Sequence, residues 1–509
     1  MVFSAESLAD LRDADYETYL AIDRALVRWD AIDIHHGGHL IRSVGHAFSA
    51  IARPELLRLL DERAAAVGVD VRYGFPVPVE ALAGRGGGGG GGLLVGADGI
   101  HSVVRDAHRA GFATLSTPHS ARYVWFGTDF ALPTFTFVFR PADAGLFQAH
   151  AYPFSAGAST FIVECAEEVW RRAGLDRMDD SDALAYCEAL FAPWLAGRRL
   201  LFKPSAGRPM WSAFTTIRNR SWHTRTVGGD AVVLLGDAAH TAHFSIGSGT
   251  RLALDDAIAL AKAFAAHPDD EAAALAAYES ERQPVVERFQ EAATDSARYF
   301  ESVGRLLSLP PTQFALNLLT RSGRITHLEL TRRDPVLVNR CDRTYAGAGQ
   351  SLLAPAPAMV PLRLGGAVIA NRMVLSPETT DAAAGGVPGP EARWALVEAA
   401  GFGAGLVVTE AVAPSPEGRV TSGSAGIWSE AQQRAWAGIV AEVQAAGALV
   451  ALRLTHAGRR GGTRPRHRGL DRPLPAGQGW PLWGPSAVPY APHSRLPRPV
   501  DDAAMVELR

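Results

Sequence analysis

Lysine is almost missing from this 509-residue sequence. Lys203 and Lys262 are the only two, so arginine carries nearly all the positive charge. Beside so many Ala, Gly and Pro residues, this reads as a base-composition bias rather than a function. A surplus of either charge is missing as well: 50 basic residues face 53 acidic ones, for a net charge of −3. That argues against nucleic acid or an anionic membrane surface as the main partner. Cysteine is scarce. Cys165, Cys187 and Cys341 lie far apart, no Cys-x-x-Cys pair occurs, and one of the three must stay unpaired within the chain. Reduced thiols in a cytoplasmic protein, each a small buried side chain, are the expected state. No apolar run approaches the ~18 residues a membrane helix needs. The opening MVFSAESLADLRDADYE is acidic and has no apolar core, unlike a secretory signal. No residue set is assigned to a metal.

Apolar residues make up 47% and charged residues 20%, a globular profile. The length is enough for several domains, each with its own core. Apolar spacing predicts a helix from Pro54 to Val67, with Leu56, Leu57, Leu60 and Ala64 on one face. Gly86 to Gly92 reads as a flexible loop, followed by a short buried strand at Leu93 to Val95. From Tyr123 to Cys165 the pattern alternates with period two, and Phe135, Phe137 and Phe139 share a face. Short aromatic-rich strands between Gly/Pro turns imply an antiparallel sheet. Ala231 to Leu235 reads as a buried strand and Thr250 to Phe264 as a helix; further helices follow to about residue 330. After a Pro/Ala/Gly linker at 346–361 the rhythm changes. Strands at Arg372–Leu375, Leu406–Thr409 and Leu449–Leu454 alternate with helices at Glu391–Ala400 and Glu430–Ala446, implying parallel βα units.

The segment AVVLLGDAAHTAHFSIGSGTRLALDDAIALAKAF carries the chemistry. Its strand delivers Gly236 and Asp237 at the carboxyl end, where open α/β sheets bind ligands. Gly236 allows close approach of the backbone, and Asp237 can accept from sugar-like hydroxyls. Gly247, Ser248, Gly249 and Thr250 then open a helix, whose free N–H groups suit an anionic group such as the pyrimidine edge of a reduced flavin. The run resembles the second FAD motif of the aromatic flavoprotein monooxygenases. GADGIHSVVR, with Asp98 and Gly99, resembles a further motif of that family, placed near the FAD diphosphate and the nicotinamide route. Arg53 resembles the arginine that opens the intervening helix and approaches the diphosphate.

YVWFGTDF, STFIVECAEEVWRRAGLD, GDAAHTAHFSIGSGT and RRDP narrow the resemblance to the bifunctional salicylyl-CoA 5-hydroxylase and 2-aminobenzoyl-CoA monooxygenase/reductase group, over residues 1 to about 340. This implies an aromatic-hydroxylase-like α/β and α+β fold. Residues 1–115 and 223–275 would form the FAD-binding part, 116–222 the antiparallel sheet of the substrate domain, and 276–345 a helical extension. The glycine turn that follows the first strand in such folds is not seen. MVFSAESL resembles an internal point of the family, after its first βαβ unit, so the resemblance implies a chain truncated at the front.

VPLRLGGAVIANRMVLSPETT, GLVVTEAVAPSPEGRV, GIWSEAQQRAW and LVALRLTHAGRRGG resemble the opening strands of the Old Yellow Enzyme family. Residues 362–509 would then form an incomplete (β/α)₈ barrel, with FMN at the carboxyl ends of the strands in a complete domain. Pro377, Thr379 and Ala411 would line the FMN. Arg453 stands where that family places a glutamine against the flavin pyrimidine. His456 reads as a structural residue after a strand.

The resemblance implies an FAD-dependent monooxygenase using NADH or NADPH and O₂ to hydroxylate an aromatic CoA thioester. The aromatic strands from Trp125 to Phe139 are candidates for the pocket wall. His243, in place of a proline in the loop near the reactive flavin edge, is the candidate catalytic residue, and His240 would orient that loop. Two readings compete: a catalytically silent remnant, and an FMN-dependent ene-reductase-like oxidoreductase. Homo-oligomerisation is left open.

Overall fold

A computed structural model describes residues 1–4, 8–78, 82, 92–204, 209–349, 353–469, 471–501 and 505. The loop expected at Gly86–Gly92 lies outside the described residues apart from Gly92. The chain divides into two compact units, Met1–Thr344 and Tyr345–Arg509.

The first unit is organised on three sheets among the described residues. A small one orders β1 (Val2–Ser4), β5 (Phe48–Ala50) and β2 (Val27–Trp29). The largest has eight strands. Its spine is β7 (Leu115–Thr128), β10 (Ala158–Cys165), β9 (Gly145–Ser155) and β8 (Phe135–Ala142), all antiparallel neighbours. β11 (Leu200–Leu201) and β12 (Ser212–Arg218) pair with β7. β3 (Ile32–His36) and β4 (His39–Ser43) extend the other side, β3 running parallel to β8. These two strands come from the first 115 residues, far from the rest of the sheet in sequence.

One face of the large sheet is apolar. Val124, Phe126, Val138, Phe147, Ala149, Phe161 and Val163 pack with Cys187 and Phe191 of the helix Asp180–Phe191. Asp179 starts that helix by accepting from the Asp182 N–H. Because side chains alternate along a strand, the other face carries Tyr123 and Trp125 from β7, Ile162 and Glu164 from β10, Gln148, His150 and Tyr152 from β9, and Phe135, Phe137 and Phe139 from β8. Trp125, expected in a pocket wall, is 47% exposed. All three cysteines are free and buried. Burial raises each thiol, Cys187 and Cys341 to about 12.

The third sheet orders β13 (His223–Arg225), β14 (Ala231–Leu234) and β6 (Leu93–Gly96). β14 is fully buried and runs parallel to β6. β6 is not the buried strand its sequence suggests: Leu93 and Val95 are each 38% exposed, because β6 is the outer strand of this sheet. The helix Arg53–Ala66 also differs from its expected face. Leu56 is buried and Leu59 and Leu60 pack beside it, whereas Leu57 is 49% exposed. The helix presents the 56/59/60 stripe, turned away from Leu57 by about one residue's rotation. The helices Gly249–Ala266 and Glu271–Ser302 pack together behind β14, and helices continue to Ala346 rather than ending near 330.

In the second unit, β15 (Leu362–Leu364) and β16 (Ala367–Ile369) make a hairpin. β18 (Leu406–Ala413) then stands between β17 (Val374–Leu375) and β20 (Leu449–Leu454), all parallel, with β19 (Ala425–Gly426) pairing with its carboxyl end. Helices Pro390–Gly401 and Glu430–Ala445 fall between the strands in sequence, giving the βα rhythm of a partial barrel. Leu396, Val407, Val412, Trp436, Ile439 and Val443 form its core. Ser429 and Gln432 close a capping box on the second helix. Among the described residues, no helix is long and apolar enough to cross a membrane. Among the same residues, no group of three or more His, Cys, Asp or Glu could hold a metal ion.

Candidate functional site

β14 ends in a tight turn at Gly236. Gly236 has φ +59°, and a Cβ there would come within 3.1 Å of the Ala253 Cβ. Strand and helix Gly249–Ala266 can therefore approach closely only with glycine at this position. A buried carboxylate locks the turn. Asp256 Oδ2 accepts from the Gly236 N–H (3.0 Å) and from His240 Nε2 (2.7 Å), while Asp256 Oδ1 accepts from Arg282 Nε (2.8 Å). Burial alone would raise this carboxyl, but His240 and Arg282 outweigh it and hold the group below its usual range. His240 thus orients the loop, with Trp222 packed on its ring.

Asp237 behaves differently. Its carboxylate makes no hydrogen bond with any described residue, and it is exposed although protein atoms surround it closely. Desolvation pushes its carboxyl up, against the opposing charges of His240 and Arg53. A Cβ on Gly249 would sit 4.0 Å from Asp237 Oδ1, so the carboxylate lies beside the start of helix Gly249–Ala266. No side chain caps that start. Gly247 turns the chain into it with φ +63°. Ser248 is buried, accepting from Arg324 and donating to the Ile246 carbonyl, and Thr250 is half-buried. Asp237, Arg53, Gly236 and the Gly247–Thr250 turn are brought together.

Asp98 and Gly99 follow β6. Asp98 Oδ2 is already occupied, accepting from the Val103 and Val104 N–H groups at 2.7 and 3.3 Å. Gly99 has φ +79°. Buried Arg105 donates to the Ala238 and Ile100 carbonyls, at 3.1 and 2.7 Å, and so ties the Asp98–Gly99 loop to the Gly236 turn. Sequence reasoning missed Arg105 and Asp256 as structural keys. Asp256 had a readable signal: an acidic residue at the apolar i+4 position between Leu252 and Leu260.

His243 points away from this turn, onto the mixed face of the large sheet. It is buried, with its ring 4.2 Å from Phe244, 4.9 Å from Phe214 and 5.7 Å from His119. Burial lowers its pKa to about 4; Glu164 pulls the other way, and the smaller effects of His119, His150 and Arg321 add to the lowering. The imidazole is therefore neutral at pH 7. The Ser245 N–H donates to Nδ1 at 3.3 Å, which leaves the ring proton on Nε2. Nε2 faces Glu164 Oε1 at 4.0 Å.

Glu164 was not singled out from the sequence, although a lone acid on the inward period of STFIVEC was a signal. His150 Nε2 lies 3.0 Å from Glu164 Oε2, ion-pair range, but without hydrogen-bond alignment. Burial opposes the charge of Glu164; His150 and then His243 favour it and hold the carboxyl below its usual range. Arg321 closes the cluster from the helical side, donating to Ser296 Oγ, the Leu318 carbonyl and the Ser245 carbonyl, over the rings of Phe137 and Phe300.

In the second unit, Ala411 and Arg453 are register partners on β18 and β20. Pro377 and Thr379 follow β17 at its carboxyl end, and the next residue, Thr380, donates its N–H to buried Glu410 at 2.7 Å. These four positions converge on the carboxyl ends of parallel strands. Arg453 is exposed. The His456 ring accepts from the Gly458 N–H at 3.1 Å, a structural contact at a strand end.

Residues 91–293 match the FAD binding domain family, and residues 359–475 match the NADH:flavin oxidoreductase / NADH oxidase family. Salicyloyl-CoA 5-hydroxylase of Streptomyces sp. is 37% identical over 377 residues, 72% of this chain and 69% of that protein. The 3-hydroxy-4-methyl-anthranilyl-[aryl-carrier protein] 5-monooxygenase of Streptosporangium sibiricum is 38% identical over 63% of this chain and 81% of its own length. A putative 12-oxophytodienoate reductase 4 of Oryza sativa subsp. japonica is 37% identical over 106 residues, 21% of this chain and 28% of the reductase. Fold and matches together define a flavoprotein oxidoreductase in which an FAD-type module is joined to an FMN-type one. The chain belongs to the FAD-dependent aromatic monooxygenases of the salicyloyl-CoA 5-hydroxylase family.

Proposed function

We propose that the unit Met1–Thr344 hydroxylates the ring of an aromatic CoA thioester of the 2-hydroxybenzoyl or 2-aminobenzoyl type, with FAD, a nicotinamide donor and O₂. The observation that carries the reading is the unpaired Asp237 carboxylate beside an uncapped helix start. An exposed acceptor held beside free helix N–H groups is open to a ligand that brings hydroxyl donors. The hydroxyls of a ribityl chain are such donors. Gly236 and Gly247 allow the close approach, and the helix N–H groups at Gly249 and Thr250 suit the anionic edge of a flavin. Arg53 supplies positive charge for the diphosphate. Because the Asp98 carboxylate is used as a cap, the exposed backbone at Asp98–Gly99 is what this loop would offer. Bound FAD supplies electron transfer from the nicotinamide and activation of O₂.

His243 serves the substrate. Its Nε2–H is placed to donate to a substrate carbonyl, while Phe244, Tyr123 and Phe137 provide an aromatic surface that keeps water away. Two relatives are named for aryl groups joined to a carrier, CoA in one and an aryl-carrier protein in the other, which supports the thioester class. In the second unit, Pro377, Thr379 and Ala411 would line FMN, with the Arg453 guanidinium as donor to its pyrimidine.

The test is direct. The purified full chain is expected to show a flavin absorption spectrum, alone or after addition of FAD. It is also expected to oxidise NADH or NADPH faster when 2-hydroxybenzoyl-CoA is added, releasing a hydroxylated thioester. A protein that stays colourless after addition of FAD and FMN overturns the reading and favours the silent remnant. His243→Ala is expected to uncouple nicotinamide oxidation from product formation; unchanged coupling removes His243 from this role.

A further inference from the structure

The mixed face of the large sheet has an imbalance of acceptors over donors. Glu164 is 1% exposed and His150 2% exposed. Both Glu164 carboxylate oxygens, Gln148 Oε1 and His150 Nε2 are buried without a well-aligned hydrogen bond, although His150 and the Gln148 side chain lie close enough to favour the Glu164 charge. Gln148 and Glu164 are register partners on β9 and β10, so three orphaned acceptor atoms sit side by side. Buried polar atoms in native proteins are nearly always paired, and an unpaired carboxylate is among the most costly to leave so. The surroundings are aromatic. His150 packs against Phe300 at 4.5 Å and Phe137 at 5.2 Å, and Phe244 lies over Tyr123 at 4.9 Å. Beside these acceptors stands a donor, His243 Nε2, 4.0 Å from Glu164 Oε1.

We propose that Glu164 is the specificity-determining acceptor of this site, taking the hydrogen bond of a ring hydroxyl or amino group while His243 Nε2–H donates to the carbonyl beside it. The inference rests on the aromatic-substrate reading above and deepens it. An acceptor and a donor 4.0 Å apart complement a ring whose hydroxyl or amino group neighbours an acyl carbonyl. A ring admitted here packs against the aromatic surface of Phe244, Tyr123 and His150. The ring donor would supply what Glu164 lacks. A substrate without that donor leaves the carboxylate unpaired, and a site built to bond a hydroxyl rejects the analogue lacking it far more strongly than an apolar pocket rejects a size change.

Binding to the purified full chain, measured by titration calorimetry, tests this. The wild type is expected to bind 2-hydroxybenzoyl-CoA at least about tenfold more tightly than benzoyl-CoA. In Glu164→Gln the two affinities are expected to fall within about threefold of each other, with benzoyl-CoA binding unchanged, because only the hydroxyl contact is weakened. A variant that keeps the full preference, or loses both ligands equally, overturns the assignment. The benzoyl-CoA affinity doubles as the folding control. Should Glu164→Gln not fold, Glu164→Asp withdraws the same charge by one methylene and is expected to lose most of the preference; full retention overturns the proposal. The same pair without CoA, salicylamide and benzamide, separates the two readings. Discrimination there but no thioester binding leaves Glu164 assigned and removes the thioester. Discrimination in neither pair removes Glu164.

Discussion

His240 and His243 sit three positions apart on one loop, and both are buried, yet they belong to opposite kinds of environment. His240 meets Asp256 at 2.7 Å inside a network in which both carboxylate oxygens are used, by the Gly236 N–H and His240 on one side and Arg282 Nε on the other, while Arg282 Nη2 has Asp255 at 3.8 Å. His243 faces Glu164 at 4.0 Å across a group of unpaired acceptors. The closed network holds a backbone turn in place, and removing a member costs stability. The open one stores unmet hydrogen-bonding capacity, which a ligand can fill. Burial of a histidine near a carboxylate does not distinguish the two; the satisfaction of the carboxylate does.

Breaking the closed side has the largest expected effect. Asp256→Ala leaves buried Arg282 with only the longer contact to Asp255, at 3.8 Å, and strips the Gly236 N–H and His240 of their acceptor, so it is expected to destabilise the fold by about 3–5 kcal/mol in urea unfolding. A loss no larger than an ordinary surface substitution would show that the network is not structural.

The second prediction concerns pH. His243 is lowered from 6.5 to about 4 in the folded chain, so it resists protonation there more than in the unfolded chain. Its contribution is fully present above pH 6.5 and is lost as pH falls through about 4. Over that window the loss amounts to roughly 3 kcal/mol. His46, also lowered to about 4 by burial, adds a loss in the same window. The difference between wild-type and His243→Gln stability curves isolates His243. Parallel curves from pH 7 to pH 4 would refute its burial in a neutral form.

Asp237 tests the flavin side. Asp237→Ala is expected to weaken FAD binding by roughly tenfold to a hundredfold, the range for one charge-assisted hydrogen bond. Because its folded carboxyl is raised, its ionised form works against folding, so the variant is expected to be slightly more stable at neutral pH. Weaker FAD binding with lower stability would place Asp237 among the structural carboxylates.

The smallest effect sharpens the comparison most. Glu164→Gln keeps the shape and removes a buried charge that lacks hydrogen bonds, so its stability change is expected to stay within about 1 kcal/mol. A loss as large as that of Asp256→Ala would make both networks structural.

Local features were readable in the chain itself. The strand Ala231–Leu234, the glycine turn at Gly236 and the helix from Gly249 follow from contiguous residues, since short-range sterics and periodicity govern them. The strands around Phe135–Phe139 and the βα rhythm after the linker were legible for the same reason. Face assignments were weaker. Leu57 and Leu93 are apolar in suitable patterns, yet each is exposed because of what its element packs against.

By itself, then, the sequence determined the family, the flavin-type turn with Asp237, and the order of the two modules, because each is written in a continuous run of residues. Tertiary structure alone decided that β3 and β4 join the large sheet, that Asp256 rather than Asp237 locks the turn, and that His243 meets Glu164. Those outcomes depend on which distant side chains share a desolvated volume. Strand pairing and burial, not local propensity, set the energy of such encounters.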